Sequence, residues 1–194
     1  MARPSNTEER RHRIVQGLVA AMARHGYEGA TIQLIAKAAG LSSGLIHYHF
    51  ASKQEILLGL FEHLATLVER RRQLFAVAGG DARMQLKALI DAYLAPGPGA
   101  DPQAVAAWVA LGTEAIRQKE IGILYQQEIR ARKARIQALL EKIAGRNRTA
   151  RAGAEKKAAA IVALTEGAFQ IAAAARGALP KGYAASAAKR LIDA

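Results

Sequence analysis

The sequence predicts an all-α fold of about nine helices, a small N-terminal unit followed by a larger helical bundle. Three observations carry that reading. Good helix formers dominate, with alanine the commonest residue. Only 5 of the 194 residues are proline and 5% are aromatic. No β-branched run alternates with period two, as a half-buried strand would.

The elements follow in order. Ser5-Asn6-Thr7-Glu8 has the form of a capping box and Gly26 offers a left-handed stop. Between them Ile14, Leu18, Ala21 and Met22 make one apolar stripe. Thr31 can cap a short second helix with Ile32, Ile35, Ala36 and Ala39 inside, ended by Gly40. Ser42 or Ser43 can cap a third helix reaching Phe50. Ser52-Lys53-Gln54-Glu55 is a second capping box, opening a long helix striped by Ile56, Leu57, Leu60, Phe61, Leu64, Leu67 and Val68. The two short helices fall below the roughly 12–15 residues that make an isolated helix even marginal. They need the first and fourth helices to pin them. Beyond Gly79-Gly80, helices are expected at about 81–95, 102–119, 121–145, 154–177 and 184–193. Pro96-Gly97-Pro98-Gly99 separates the first pair, and 145–153 reads as a basic loop. The expected domains are 1–55 and 56–194.

Composition narrows the function classes. No cysteine is present, which excludes disulfide scaffolds, zinc ribbons and cysteine nucleophiles. With 51% hydrophobic and 23% charged residues the chain is globular rather than disordered. The first thirteen residues are polar and basic with no apolar core, which argues against secretion. Residues 158–175, the most apolar stretch, contain Glu166 and are mostly alanine, so they read as a buried helix rather than a membrane span. A soluble cytoplasmic protein with no membrane partner is expected. The net charge of +12 permits nucleic-acid binding but does not locate it. Residues 1–55 carry +3, 56–116 carry −1, 117–157 carry +8 and 158–194 carry +2.

The chemistry concentrates between Thr31 and Lys53, where two short helices and a tight turn have the layout of a helix-turn-helix. Its second helix would enter the major groove of double-stranded DNA while the first braces it. Ser42, Ser43 and Gly44 are small enough to let backbone approach DNA, and free amides there suit a phosphate. Gln33 offers a donor and an acceptor to a base edge. His47 and Tyr48 point away from the Leu41, Ile46 and Phe50 side, and Lys53 suits a phosphate.

Gly40-Leu41-Ser42-Ser43-Gly44, Ile46, His47-Tyr48-His49, Phe50 and Ser52-Lys53, with Thr31, Ile35-Ala36 and Gly26 upstream, resemble the tetracycline-repressor (TetR) family of bacterial transcription regulators. The resemblance covers about the first sixty residues. It implies base and phosphate contacts at Thr31, Gln33, Ser42, Ser43, Gly44, Leu45, His47, Tyr48 and Lys53. His47 departs from the pattern, since the family often has tyrosine there; that contact would be weaker or pH-sensitive.

In the second half, residues 106–110 around Trp108, Leu124-Tyr125 and residues 164–167 around Glu166 resemble the betaine-synthesis regulators of the same family, which respond to choline. A quaternary ammonium would want an aromatic cage. Trp108, Tyr125 and Phe169 could build it, with Glu114 or Glu166 as the carboxylate, although Gly112 stands where that branch tends to carry another tryptophan. The resemblance further implies a homodimer, a small-molecule effector, and a long helix from Lys53 linking both parts. Ala158, Ile161, Val162, Thr165, Ala168, Phe169 and Ala172 form a wide stripe, which would be core in a monomer and, by the resemblance, the dimer interface.

Other patterns in the sequence point elsewhere but lack their structural context. Positions 40–44 satisfy the G-x-S-x-G hydrolase pattern, but that elbow needs a strand before it and this sequence offers a helix. His47 and His49 are two apart and diverge on a helix, so no metal site and no cofactor is expected. Arg130, Arg132, Lys133 and Arg135 read as a solvated basic face. No paired carboxylates or triad support an enzyme. The reading is a homodimeric, ligand-responsive repressor; the rival is a nonspecific architectural DNA binder, which competitor DNA would separate.

Overall fold

A computed structural model describes residues 6–193, so the cap expected from Ser5 lies outside the described residues. Among those residues there are nine helices and no strand. They are α1 (Asn6–Gly29), α2 (Ile32–Ala39), α3 (Ser43–His49), α4 (Lys53–Phe75), α5 (Ala82–Leu94), α6 (Pro102–Ala115), α7 (Lys119–Ala144), α8 (Arg148–Ala174) and α9 (Tyr183–Asp193). The all-α expectation holds.

The chain divides into two compact units, residues 1–66 and 67–194. That boundary falls later than the 55/56 division expected, and α4 explains why. Ile56, Leu57, Leu60, Phe61 and Leu64 are buried, Gly59 lies against the Phe50 ring and Val15, and His63 meets His12 edge-on at 4.5 Å. The first half of α4 is therefore core of the first unit.

Local chemistry sets the helix ends. Gly26 takes φ 67°, and this non-helical residue breaks α1 before a last short turn to Gly29. Ile14, Leu18, Ala21 and Met22 are buried, as their spacing predicts. Gly17 has a different role: a Cβ there would lie 2.6 Å from the Ile35 carbonyl oxygen, so its bare backbone lets α1 and α2 touch.

In the second unit α8 begins at Arg148, not near 154, because the Asn147 side chain accepts the Ala150 amide at 3.0 Å and caps an extra turn. The expected basic loop shrinks to 145–147. Leu86, Leu89 and Ile90 of α5, Ile136 and Leu140 of α7, and Ala188 and Ile192 of α9 form one core with Ala154, Ala158, Ile161 and Val162 of α8. Arg71 ties α4 to the end of α5, donating at 2.7 Å to the Ala92 carbonyl and also to that of Ala95.

That core overturns the expected dimer stripe. Ala158, Ile161, Val162, Thr165, Ala168 and Phe169 are all buried inside a single chain, leaving only Ala172 of the seven exposed. The stripe is real, but α6, α7 and α9, with α5, pack on α8 and cover it. By length and composition alone α8 could cross a membrane, a property it shares with core helices rich in alanine.

Candidate DNA-binding surface and effector site

The first unit builds a helix-turn-helix from capped ends. The Thr31 hydroxyl oxygen accepts the Leu34 amide at 3.3 Å and starts α2. Gly40, with φ 63°, closes it, and the Leu41 amide returns to the Ala36 carbonyl at 3.0 Å. One residue later the Ser42 hydroxyl oxygen accepts the Leu45 amide at 3.2 Å and starts α3. Ser52 and Glu55 complete the box that starts α4: the Glu55 amide donates to Ser52 Oγ at 3.1 Å and the Glu55 carboxylate accepts the Ala51 amide at 2.6 Å.

Ile46 and Phe50 are buried and anchor α3, while Gly44, His47 and Tyr48 face outward. Tyr48 is 79% exposed, a large aromatic left in water on a seven-residue helix. Thr31, Gln33 and Ser42 are also exposed; Ser43, Leu45 and Lys53 are half-buried. A Cβ at Gly44 would meet nothing within 4 Å.

Three cations sit on the C-terminal ends of helices, where carbonyls lack partners. Arg13 donates to the Ala39 and Gly40 carbonyls at 2.8 and 3.2 Å, closing α2. Arg11 donates to the His49 carbonyl at 2.6 Å, closing α3, and stacks 4.0 Å over Phe50. Lys53 donates to the Tyr27 and Glu28 carbonyls at 2.8 and 3.2 Å and lies 4.4 Å over the Tyr27 ring. Lys53, expected as a phosphate contact, thus has a structural tie that its sequence position did not reveal. Burial and the neighbouring Arg10 and Arg11 charges hold the His49 imidazole below its ordinary pKa. Its Nε2 is buried without a hydrogen-bond partner.

The second unit gathers four of the five expected effector residues. Glu166 on α8 accepts from Trp108 Nε1 at 2.8 Å and from the Tyr125 hydroxyl at 2.6 Å, both on Oε2. Trp108 and Tyr125 stack with centroids 4.6 Å apart. Phe169 faces Tyr93 at 6.4 Å. Burial and the Glu166 hydrogen bond push the Tyr125 phenol above its ordinary pKa, so it remains a donor. The space at Gly112 is taken by Tyr125: a Cβ there would lie 3.1 Å from the phenol oxygen. One aromatic ring from α7 fills a slot left open on α6.

Glu114 does not join them. Six residues beyond Trp108 it lies about 240° further round α6, where its backbone carbonyl accepts the Arg117 and Gln118 amides.

Sequence reasoning missed the centre of this site. Arg132, read as part of a solvated face, has a side chain only 8% exposed and pairs with Glu166 Oε1. Its guanidinium carbon lies 4.6 Å from the Tyr93 ring centroid, 4.7 Å from Trp108 and 5.9 Å from Phe169. Helical phase could have found it, because Ile121, Tyr125, Ile129, Arg132, Ile136 and Leu140 recur at spacings of three and four. Tyr93 and Phe169 also wall a cavity of about 410 Å³, lined further by Arg71, Val105, Ile171 and Tyr183.

Residues 14–60 match the family of bacterial regulatory proteins described as the tetR family. Residues 82–194 match the BetI-type transcriptional repressor, C-terminal. The HTH-type transcriptional regulator BetI of Agrobacterium fabrum is 29% identical over 125 residues, which is 63% of this chain and 60% of that protein. The match thus spans under two thirds of that relative's length. A solved transcriptional regulator from Pseudomonas aeruginosa PAO1 superposes with TM-score 0.76 at 23% identity, over 96% of this chain and 89% of that one. A transcriptional regulator from Saccharomonospora viridis, solved in complex with choline, superposes with TM-score 0.65 at 27% identity, over 96% and 94%.

Proposed function

The chain belongs to the TetR family of bacterial regulatory proteins, with a BetI-type repressor C-terminal half, and from that premise we propose a ligand-responsive repressor that binds a near-palindromic operator as a homodimer. The observation that carries this reading is the outward face of α3, where Gly44, His47 and Tyr48 stand free on a helix held at both ends. That face reads bases in the major groove. Gln33 contributes a bidentate contact from α2, and Thr31, Ser42, Ser43, Leu45 and Lys53 meet backbone or phosphate. Two copies related by a twofold would place α3 in half-sites ~34–36 Å apart.

The partner packs on the outer face of α8. Ala152, Ala159, Ala160, Ala163, Gly167 and Ala174 are exposed there, and a Cβ at Gly167 would meet nothing within 4 Å. A glycine inside a helix is less favourable than alanine by about 1 kcal/mol. Nothing within this chain requires one at 167; a second helix crossing closely does.

A small molecule enters the second unit beside the Tyr93–Phe169 pair, in a cavity of about 410 Å³, within the size range of a ligand site. It releases DNA by binding more tightly to the dimer form whose recognition helices are wrongly spaced. The continuous α4, which begins in one unit and ends in the other, carries the shift. The protein works in the cytoplasm, where its operator is.

Fragments of the source genome selected by the purified protein supply the operator, and gel shifts against competitor DNA then test specificity. Gln33→Ala should lose ~1–3 kcal/mol at one base position and relax specificity there. Equal binding of selected and unrelated fragments would replace this reading with an architectural DNA binder.

A further inference from the structure

We propose that Arg132 is the resident cation of the aromatic cage and that it closes this site to free organic cations. The cage has the parts an organic cation needs: three rings within 6 Å of one point and a carboxylate beside them. The point is occupied, by a guanidinium from the same chain. Arg132 pairs with Glu166 Oε1 while Trp108 and Tyr125 hold Oε2, so the carboxylate is satisfied on both oxygens. The Arg132 side chain is 8% exposed, so the site is also sealed over its occupant. A free ammonium could enter only by expelling Arg132 from its ion pair and its stacking partners together.

The adjoining cavity points the same way. Arg71, Arg176 and Lys181 line it against one carboxylate, Asp101, which is engaged in capping α6 through the amides of Gln103 and Ala104. A ligand there meets surplus positive charge, and it touches the cage through Tyr93 and Phe169. Arg132 therefore bars cations from the cage, and Arg71, Arg176 and Lys181 disfavour them in the cavity beside it. This adds a specificity to the regulator reading and rests on that reading only for the ligand's effect on DNA.

Trp108 is the single tryptophan of the sequence, so its fluorescence reports the cage directly. The full-length protein is titrated with tetramethylammonium and with choline, and binding is checked by calorimetry. Arg132→Ala should bind both at least ~10-fold more tightly than the wild type. Arg132→Gln, which keeps much of the bulk without the charge, should fall between the two. Should Arg132→Ala fold poorly, tetramethylammonium should raise its melting temperature while leaving the wild type unchanged. Wild-type binding as tight as that of Arg132→Ala overturns the proposal, and so does an Arg132→Ala protein neither bound nor stabilised by either cation. Gel shifts on selected DNA, run on the same variants, report the regulator reading separately.

Discussion

Gly17→Ala tests whether the recognition element is positioned by a close backbone approach. In most helix interiors this change gains about 1 kcal/mol from propensity. Here the new Cβ would lie 2.6 Å from the Ile35 carbonyl oxygen, 3.0 Å from the Ala39 Cβ and 3.1 Å from the Ala39 amide nitrogen. Two of those three atoms are backbone, so no side chain can swing aside and α2 itself must move. Overpacking of this kind costs about 1–3 kcal/mol. Displacing α2 also strains the Arg13 hydrogen bond at its end, 2.8 Å to the Ala39 carbonyl, where a charged donor is worth ~1.5–3 kcal/mol. After subtracting the propensity gain, we expect a net loss of ~1–3 kcal/mol, a drop of ~4–8 °C in melting temperature per kcal/mol for a unit this size. Trp108 lies in the second unit, so hydrogen exchange at the Ile35 and Ala36 amides is the sharper assay, alongside affinity for selected DNA. A variant as stable as the wild type, with unchanged exchange and affinity, would refute the argument that α1 and α2 meet through Gly17.

Four further outcomes follow from the geometry. His49 has a depressed pKa when folded, so its neutral form contributes stability that is present above its ordinary value of 6.5 and is lost as pH falls below it; His49→Phe should flatten denaturation midpoints between neutral and mildly acidic pH relative to wild type. Lys53→Met removes two carbonyl hydrogen bonds and should destabilise the first unit by ~1–3 kcal/mol in urea unfolding without DNA present. Glu166→Gln leaves the Arg132 guanidinium without its counter-charge and should destabilise the second unit by ~2–4 kcal/mol, with Trp108 emission shifted. Gly167→Ala should stabilise the individual chain by ~0.5–1 kcal/mol while weakening self-association in sedimentation, two effects of opposite sign.

The first unit was largely legible in the sequence because local chemistry governs it. Thr31, Gly40, Ser42 and the Ser52–Glu55 box act within a few residues of themselves, and each does what its position predicts. The clamps were not legible, because Arg11, Arg13 and Lys53 find carbonyls 25 to 38 residues away. In the second unit Trp108, Tyr125, Glu166 and Phe169 carried enough chemistry to be grouped, but their neighbour Arg132 was hidden by its charge. A basic residue within a basic run reads as solvated until helical phase places it on the stripe of Ile129 and Ile136. The α8 stripe failed for the converse reason. Amphipathic periodicity says that a face is covered and never by what; here the chain's own α5, α6, α7 and α9 cover it.

Two of the three helix-end cations have one more consequence, for ionic strength. The affinity of a protein for duplex DNA falls with added salt in proportion to the phosphates it neutralises. Arg11 and Arg13 are two of the seven basic residues among positions 1–55, and each is held on a carbonyl within the protein, whereas Lys53 keeps the phosphate contact proposed for it. A plot of log affinity against log salt should therefore slope less steeply than a tally of lysines and arginines implies, because part of this unit's electropositive character is mechanical bracing rather than counterion exchange.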